Sequence, residues 1–368
     1  MVVSLVLLGV FFAITGFVNS RYHATQAALG GHWYARGVAA LKANQPLKAV
    51  DAFHTALVYS RDNSAYELQL AEALVESDRL NEAEVYLRTL WVREPGNGTV
   101  NLELARLAAR RSDVPDAIRY YHNAVYGVWD SDPIVHRRET RMELCEFLLA
   151  KKERTQAESE LIAIVANLPP DAALHAKVGG MFLQVQDYPR ALQQFQQALK
   201  LKPKVKGAWA GAGEAAYQTG DYAEAYRYLQ KAVAESSSDL QAAQQLEMCK
   251  LILSLDPFGR RLSQRERIRR TLAAFDQAVA RVKQCAQNLG VNFQAKQPNT
   301  PIEDVYAKAK KMQPKVNERS LRRDPDLISN VMDLVFQMEE QAERSCGLLP
   351  DPDRALLMIA RTRGATER

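Results

Sequence analysis

Small and bulky apolar positions recur along residues 30–239 at a fixed spacing of 34. Copies begin at Gly30, Ser64, Gly98, Arg138, Ala172 and Lys206. Place eight of each copy is small: Gly37, Ala71, Ala105, Cys145, Gly179 and Gly213. Place twenty is always alanine: Ala49, Ala83, Ala117, Ala157, Ala191 and Ala225. Place twenty-four is large: Phe53, Leu87, Tyr121, Leu161, Phe195 and Leu229. This predicts two helices per copy. The small places let the two helices approach, and the large residue fills the gap against the next copy. A tight polar turn such as Gly220-Asp221-Tyr222 joins them, and proline at Pro95, Pro169 and Pro203 stops the second helix by removing an amide. One copy cannot bury its own apolar face, whereas stacked neighbours can.

With these places filled in register six times, the segment resembles the tetratricopeptide repeat family. The resemblance implies an all-α fold: a solenoid of six helix pairs with Leu240–Leu255 as a capping helix, together covering residues 30–255. It also implies a protein-binding role, with the first helix of each pair lining a concave groove. Mapped onto this chain, the groove is formed by Tyr34, Leu68, Glu72, Leu102, Arg106, Arg110, Met142, Glu146, Leu183, Glu214 and Tyr217. These residues are mixed in charge. The lysine-asparagine-arginine clamp by which some family members hold chaperone tails is missing, because the matching places carry Tyr34, Val38, Thr99 and Glu103.

Met1–Val18 is an uncharged apolar run. As a helix it would extend roughly 27 Å, close to the hydrocarbon thickness of about 30 Å. A secretory signal is the competing reading, but no basic segment precedes the run and no convincing small-x-small cleavage site follows it. Residues 1–20 are therefore expected to be a transmembrane anchor helix. Arg21 and Arg36 follow the run, which leans toward a cytoplasmic repeat domain. Resemblance to bacterial repeat proteins with a single N-terminal anchor implies the opposite, a periplasmic one. The expected location is a bacterial membrane, with the soluble part in the periplasm.

Residues 256–368 lack the repeat and are expected to form a separate helical bundle. Ser263 and Glu266, like Thr300 and Glu303, have the spacing of a capping box. Ile268, Leu272, Phe275, Val279 and Val282 share one helical face, as do Leu327, Val331, Leu334, Met338 and Ala342. Residues 292–300 and 313–323 read as loops. Cys285 and Cys346 lie near the ends of the two long helices, where a disulfide would staple a small bundle outside the cytoplasm. Two unrelated buried thiols, or pairing of either with Cys249, remain open at this stage. Cys145 fills a small repeat place and is expected to be a packing residue.

Net charge is +5 and the isoelectric point about 8.9, too mild for a nucleic-acid binder. The six histidines are scattered, no CxxC, HExxH, GxSxG or phosphate-loop motif occurs, and no metal, haem or other cofactor is expected. Nothing assembles a nucleophile, a base and an oxyanion donor, so the expected protein is not an enzyme. Arg260, Arg261, Arg265, Arg267, Arg269 and Arg270 make a basic run, read either as a solvated helix face or as a surface for anionic lipid or an acidic partner. Asp132–Arg137 interrupts the period and is either a spacer or a partner contact. Asn97-Gly98-Thr99 matches a glycosylation sequon but reads better as a turn. The expected function is a membrane-anchored scaffold, an accessory subunit or assembly factor of a bacterial membrane complex such as an electron-transfer or photosynthetic one. The alternative is a free adaptor that binds peptides or unfolded clients in envelope quality control.

Overall fold

The computed structural model describes residues 2–259, 262–291, 300–347 and 350–366. Among these residues the regular structure is helical, apart from one isolated parallel bridge between Asn97 and Val128. The chain forms two compact units, residues 1–167 and 168–368. The first unit holds α1 (Val2–Lys42), α2 (Pro46–Tyr59), α3 (Ser64–Glu76), α4 (Leu80–Arg93), α5 (Gly98–Arg110), α6 (Val114–Tyr126), α7 (Pro133–Ala150) and α8 (Arg154–Val165). The second begins with α9 (Ala172–Val185), α10 (Tyr188–Leu201), α11 (Ala208–Gln218), α12 (Tyr222–Glu235) and α13 (Leu240–Leu255). It continues with α14 (Gln264–Asn288), α15 (Pro301–Met312), α16 (Glu318–Arg323), α17 (Asp326–Cys346) and α18 (Asp351–Thr366).

The helices pair two by two, four pairs in the first unit and two in the second. The small place eight faces the large place twenty-four of its own pair. A Cβ added at Gly213 would lie 2.7 Å from Leu229, one at Gly179 would lie 3.1 Å from Phe195, and one at Gly37 would overlap Phe53. Phe195 also presses on Gly211 of the following pair, so the large residue seals both its own pair and the junction to the next. Every inter-helix turn has place fifteen in the left-handed region: Asn44, Asp78, Ser112, Lys152, Gln186 and Gly220. In each turn the next amide returns to a carbonyl five residues back, as in Asp113 N to Ala108 O at 2.9 Å and Asp221 N to Ala216 O at 3.0 Å. This is the Schellman closure of a helix end.

The insertion lengthens α7 and is clamped to the preceding turn. Trp129 lies over Gly98, its Nε1 donates to Ala124 O at 3.0 Å, and its ring stacks on His136 at 4.8 Å. Gly98 N donates to Val128 O and Val128 N to Gly96 O, both at 2.8 Å. Asn97 caps α5 by accepting from Val100 N at 3.1 Å, so this stretch is a turn joined to the insertion. Gly98→Ala would drive a methyl into the Trp129 indole. It is expected to lower stability by about 1–3 kcal/mol, measured by denaturant unfolding.

Several expectations are corrected. No helix break separates residues 1–20 from the first repeat: α1 is continuous over Val2–Lys42, because nothing between Val18 and Gly30 interrupts a helix. The expected membrane-crossing run falls largely on residues 1–13, whose side chains lie outside the described residues. Among the described residues no helix is long and apolar enough to cross a membrane. Residues 313–323 are not a loop, since a 3₁₀ turn at Gln313–Lys315 and α16, capped by Asn317, occupy them. The expected loop over 292–300 falls outside the described residues except for Thr300. Ser263 caps α14, but Glu266 turns away to Arg269 and Arg270, so that box is half made. The Thr300–Glu303 box is complete.

In the second unit, α13 contributes Met248 and Ile252 to the same core as Phe275, Val282, Val331 and Met338. The sequence division at 255/256 lies inside that unit. The Cys285 and Cys346 sulfurs are joined in a disulfide, with Cα atoms 5.8 Å apart, whereas Cys145 and Cys249 are buried free thiols. Among the described residues of the arginine run, two are tied to main-chain carbonyls. Arg267 reaches Leu262 O and Gly259 O, and Arg270 reaches Leu253 O and Asp256 O. Arg260 and Arg261 lie outside the described residues.

Candidate protein-interaction surface

In the first unit, aromatic and charged side chains from successive first helices meet. Tyr34 of α1 stacks on Tyr66 of α3 at 4.7 Å and tilts against Phe53 at 5.7 Å. Burial raises the Tyr34 hydroxyl, helped by Tyr66 and Glu72. Glu72 accepts from Gln69 at 2.5 Å, and burial pushes its carboxyl up, with Arg106 pulling the other way. Arg106 of α5 grips Glu143 of α7 through two bonds, at 2.9 and 2.7 Å, and reaches Glu103 at 2.6 Å. Tyr121 donates to the same Glu143 at 2.9 Å. The paired guanidinium and phenol hold Glu143 below the usual carboxylate range against its own burial. Glu103, almost wholly buried and left with the third arm of the arginine, is pushed up to about 7. Arg106 is therefore already engaged by two carboxylates and links α5 to α7. Leu68 and Leu102 are half-buried, Arg110 and Glu146 are exposed, and Met142 is buried, so Met142 is a core residue here and offers little to a ligand.

In the second unit, Leu183 lies in a cleft of about 570 Å³ between α9, α10 and α11. Lys177, Lys202, Lys204 and Lys206 line it, over Phe195 and the glycines 180, 207 and 211. A Cβ at Gly180 would meet nothing within 4 Å, so the cleft stays open above that helix. Trp209 holds the 202–207 loop by donating to Pro203 O at 3.0 Å, and Lys231 lies over its ring at 4.1 Å. The sequence reading missed three of these lysines because it mapped only first helices, whereas Lys202, Lys204 and Lys206 come from the loop after α10. The alternating run Lys200, Lys202, Lys204, Lys206 was the available signal. Glu214 is half-buried and raised by burial. Tyr217 does not face an open groove: its hydroxyl meets Met358 Sδ of α18 at 3.6 Å, and the chain itself covers that place. Among the described residues no group of three or more His, Cys, Asp or Glu could hold a metal ion.

The family model described as "Tetratricopeptide repeat" matches residues 68–133 and 182–239. Those two segments are tetratricopeptide repeats. Similar solved structures include PilF of Pseudomonas aeruginosa, at 13% identity and TM-score 0.44, covering 60% of this chain and 97% of that one. YrrB, titled a TPR protein with an unusual peptide-binding site, has 16% identity and TM-score 0.44 over 54% and 99% of the two chains. PilW, titled a widely conserved type IV pilus biogenesis factor, has 14% identity and TM-score 0.43 over 59% and 96%. A search of curated proteins finds no match.

Proposed function

We propose that this repeat protein is a non-catalytic scaffold that holds partner polypeptides at a bacterial membrane, as an accessory subunit or assembly factor of a membrane complex. Tetratricopeptide repeat proteins mediate protein–protein interactions and are generally non-catalytic. The observation that carries the reading is the lysine-lined cleft at Leu183, an open site of one charge on a rigid helix array. In this proposal Tyr34, Leu68, Glu72, Leu102, Arg110, Glu146 and Glu214 supply further contacts on first-helix faces. The apolar run at the start of α1 supplies the anchor. The Cys285–Cys346 bond supports a periplasmic soluble part, because such bonds persist where thiols are oxidised.

The test is co-purification from detergent-solubilised membranes. The expected result is a stable partner whose recovery falls roughly tenfold with Lys204→Glu plus Lys206→Glu. A protein that always elutes alone as a monomer would defeat the reading. The openness of the same cleft favours a second reading, a free adaptor that briefly captures extended acidic segments. That reading expects the chain to wash off membranes in alkaline carbonate.

A further inference from the structure

We propose that the cleft between α6, α7 and α8 is a separate binding site for an extended acidic segment of a partner protein, anchored by one aliphatic or aromatic side chain. The insertion that breaks the repeat builds it. α7 runs for 18 residues where α3 and α5 have 13 each, and the added turn carries Ile134 and Arg137, next to Arg138 at the start of the repeat copy. The resulting cleft encloses about 350 Å³, with Tyr126, Ile134, Arg137, Arg138, Arg141 and Ile164 among its walls and no carboxylate in its lining among the described residues.

Two features make this a prepared site. The first is rigidity. The Trp129 clamp fixes the 127–132 segment to the turn before α5, and Arg137 donates to Gly127 O at 3.2 Å. Tyr126 and Ile134 are held outward at 73% and 71% exposure, so little ordering remains to be done on binding. The second is charge and shape. Arg141 is held by Glu160 at 2.9 Å and lies under the Tyr126 ring at 5.8 Å, which turns that ring into a wall of the cleft. Arg137 and Arg138 stand beside it. Guanidinium groups take carboxylates in two-point contacts, and tyrosine with arginine is the pairing that dominates protein interfaces. The volume suits one anchoring side chain, with flanking carboxylates meeting the arginines.

The site is distinct from the repeat groove. Its lining takes Ile134, Arg137, Arg138 and Arg141 from α7 and includes neither Met142 nor Glu146, the groove places of that helix. It also differs from the lysine cleft, which belongs to the other unit.

The test uses the full chain and a fluorescein-labelled peptide with a central leucine flanked by glutamates, read by fluorescence anisotropy. A control peptide carries glutamine in place of every glutamate. The expected result is binding of the acidic peptide, roughly tenfold weaker for the glutamine control, for Arg138→Glu and for Tyr126→Ala. Lys204→Glu leaves it unchanged. Both altered residues lie on the surface, and unchanged circular dichroism of the variants verifies folding. Arg138→Lys retains part of the affinity, because it keeps the charge and loses the fork. No binding of the acidic peptide, equal binding of the two peptides, or wild-type affinity in Arg138→Glu overturns the proposal. So does a dimer in light scattering that Tyr126→Ala converts to monomers, since a second copy would then be the occupant.

Discussion

Glu339→Gln is expected to leave the second unit's stability nearly unchanged around pH 5 and to raise it by roughly 3 kcal/mol near pH 7. Glu339 of α17 is fully buried, and neither carboxyl oxygen has a hydrogen-bond partner. The charged groups that reach it are Asp353 of α18 and Arg281 of α14. Burial, then the neighbouring Asp353, push its carboxyl up to about 8, with Arg281 opposing. Asp353 is itself raised by burial, although Gln277 donates to it at 2.9 Å and the Arg281 Nε lies 3.7 Å away. An acid whose folded pKa lies above its unfolded value binds more protons when folded. Its stability is therefore complete below about 4.5 and is lost as pH rises toward 8. Glutamine resembles the protonated acid and does not ionise, so the benefit of the substitution grows across that window. Denaturant unfolding from pH 5 to 8.5, followed by hydrogen exchange in α17, measures it. Parallel pH slopes for wild type and variant would refute the assignment.

The second large effect is loss of the disulfide. The bond joins positions 61 residues apart, between α14 and α17. Closing a loop of that length restricts the unfolded chain, so reduction or Cys285→Ser with Cys346→Ser is expected to cost roughly 4 kcal/mol. Cys145 and Cys249 are buried free thiols that burial pushes up to about 12, and both are expected to remain unlabelled by iodoacetamide in the native chain. The readout is the shift in the unfolding midpoint of the second unit with and without reductant. An unchanged midpoint would mean that packing alone holds α14 against α17. Glu339 with Arg281, like the disulfide, links α17 to α14, so the two sets of variants are not expected to add.

The parts of the fold legible in the sequence were those carried by side-chain volume. Gly37 against Phe53 and Gly213 against Leu229 are size complements, and size is written in residue identity. The Thr300–Glu303 box and the start of α14 were readable for the same reason, as short-range chemistry at fixed spacing. What escaped depended on competition between partners. Glu266 had two arginines as well as its own N-cap to choose from, and the arginines won. Met142 and Tyr217 occupied groove places by count. One was buried by its own unit and the other covered by α18, which no repeat frame contains. The lysine cleft was missed because its charges come from a connecting loop. The arginine cleft was visible only as an interruption of the period, until Trp129 showed how that interruption is pinned.

The six left-handed corners between paired helices carry one further consequence. Asparagine, aspartate, serine, lysine, glutamine and glycine all occupy the same backbone angle, and the closing amide bond is made each time. The corner is thus specified by main-chain geometry and the helices around it, and its residue can vary without altering the bend. The family match spans four of the six copies, and the two it passes over, which begin at Gly30 and Arg138, keep the same corner at Asn44 and Lys152.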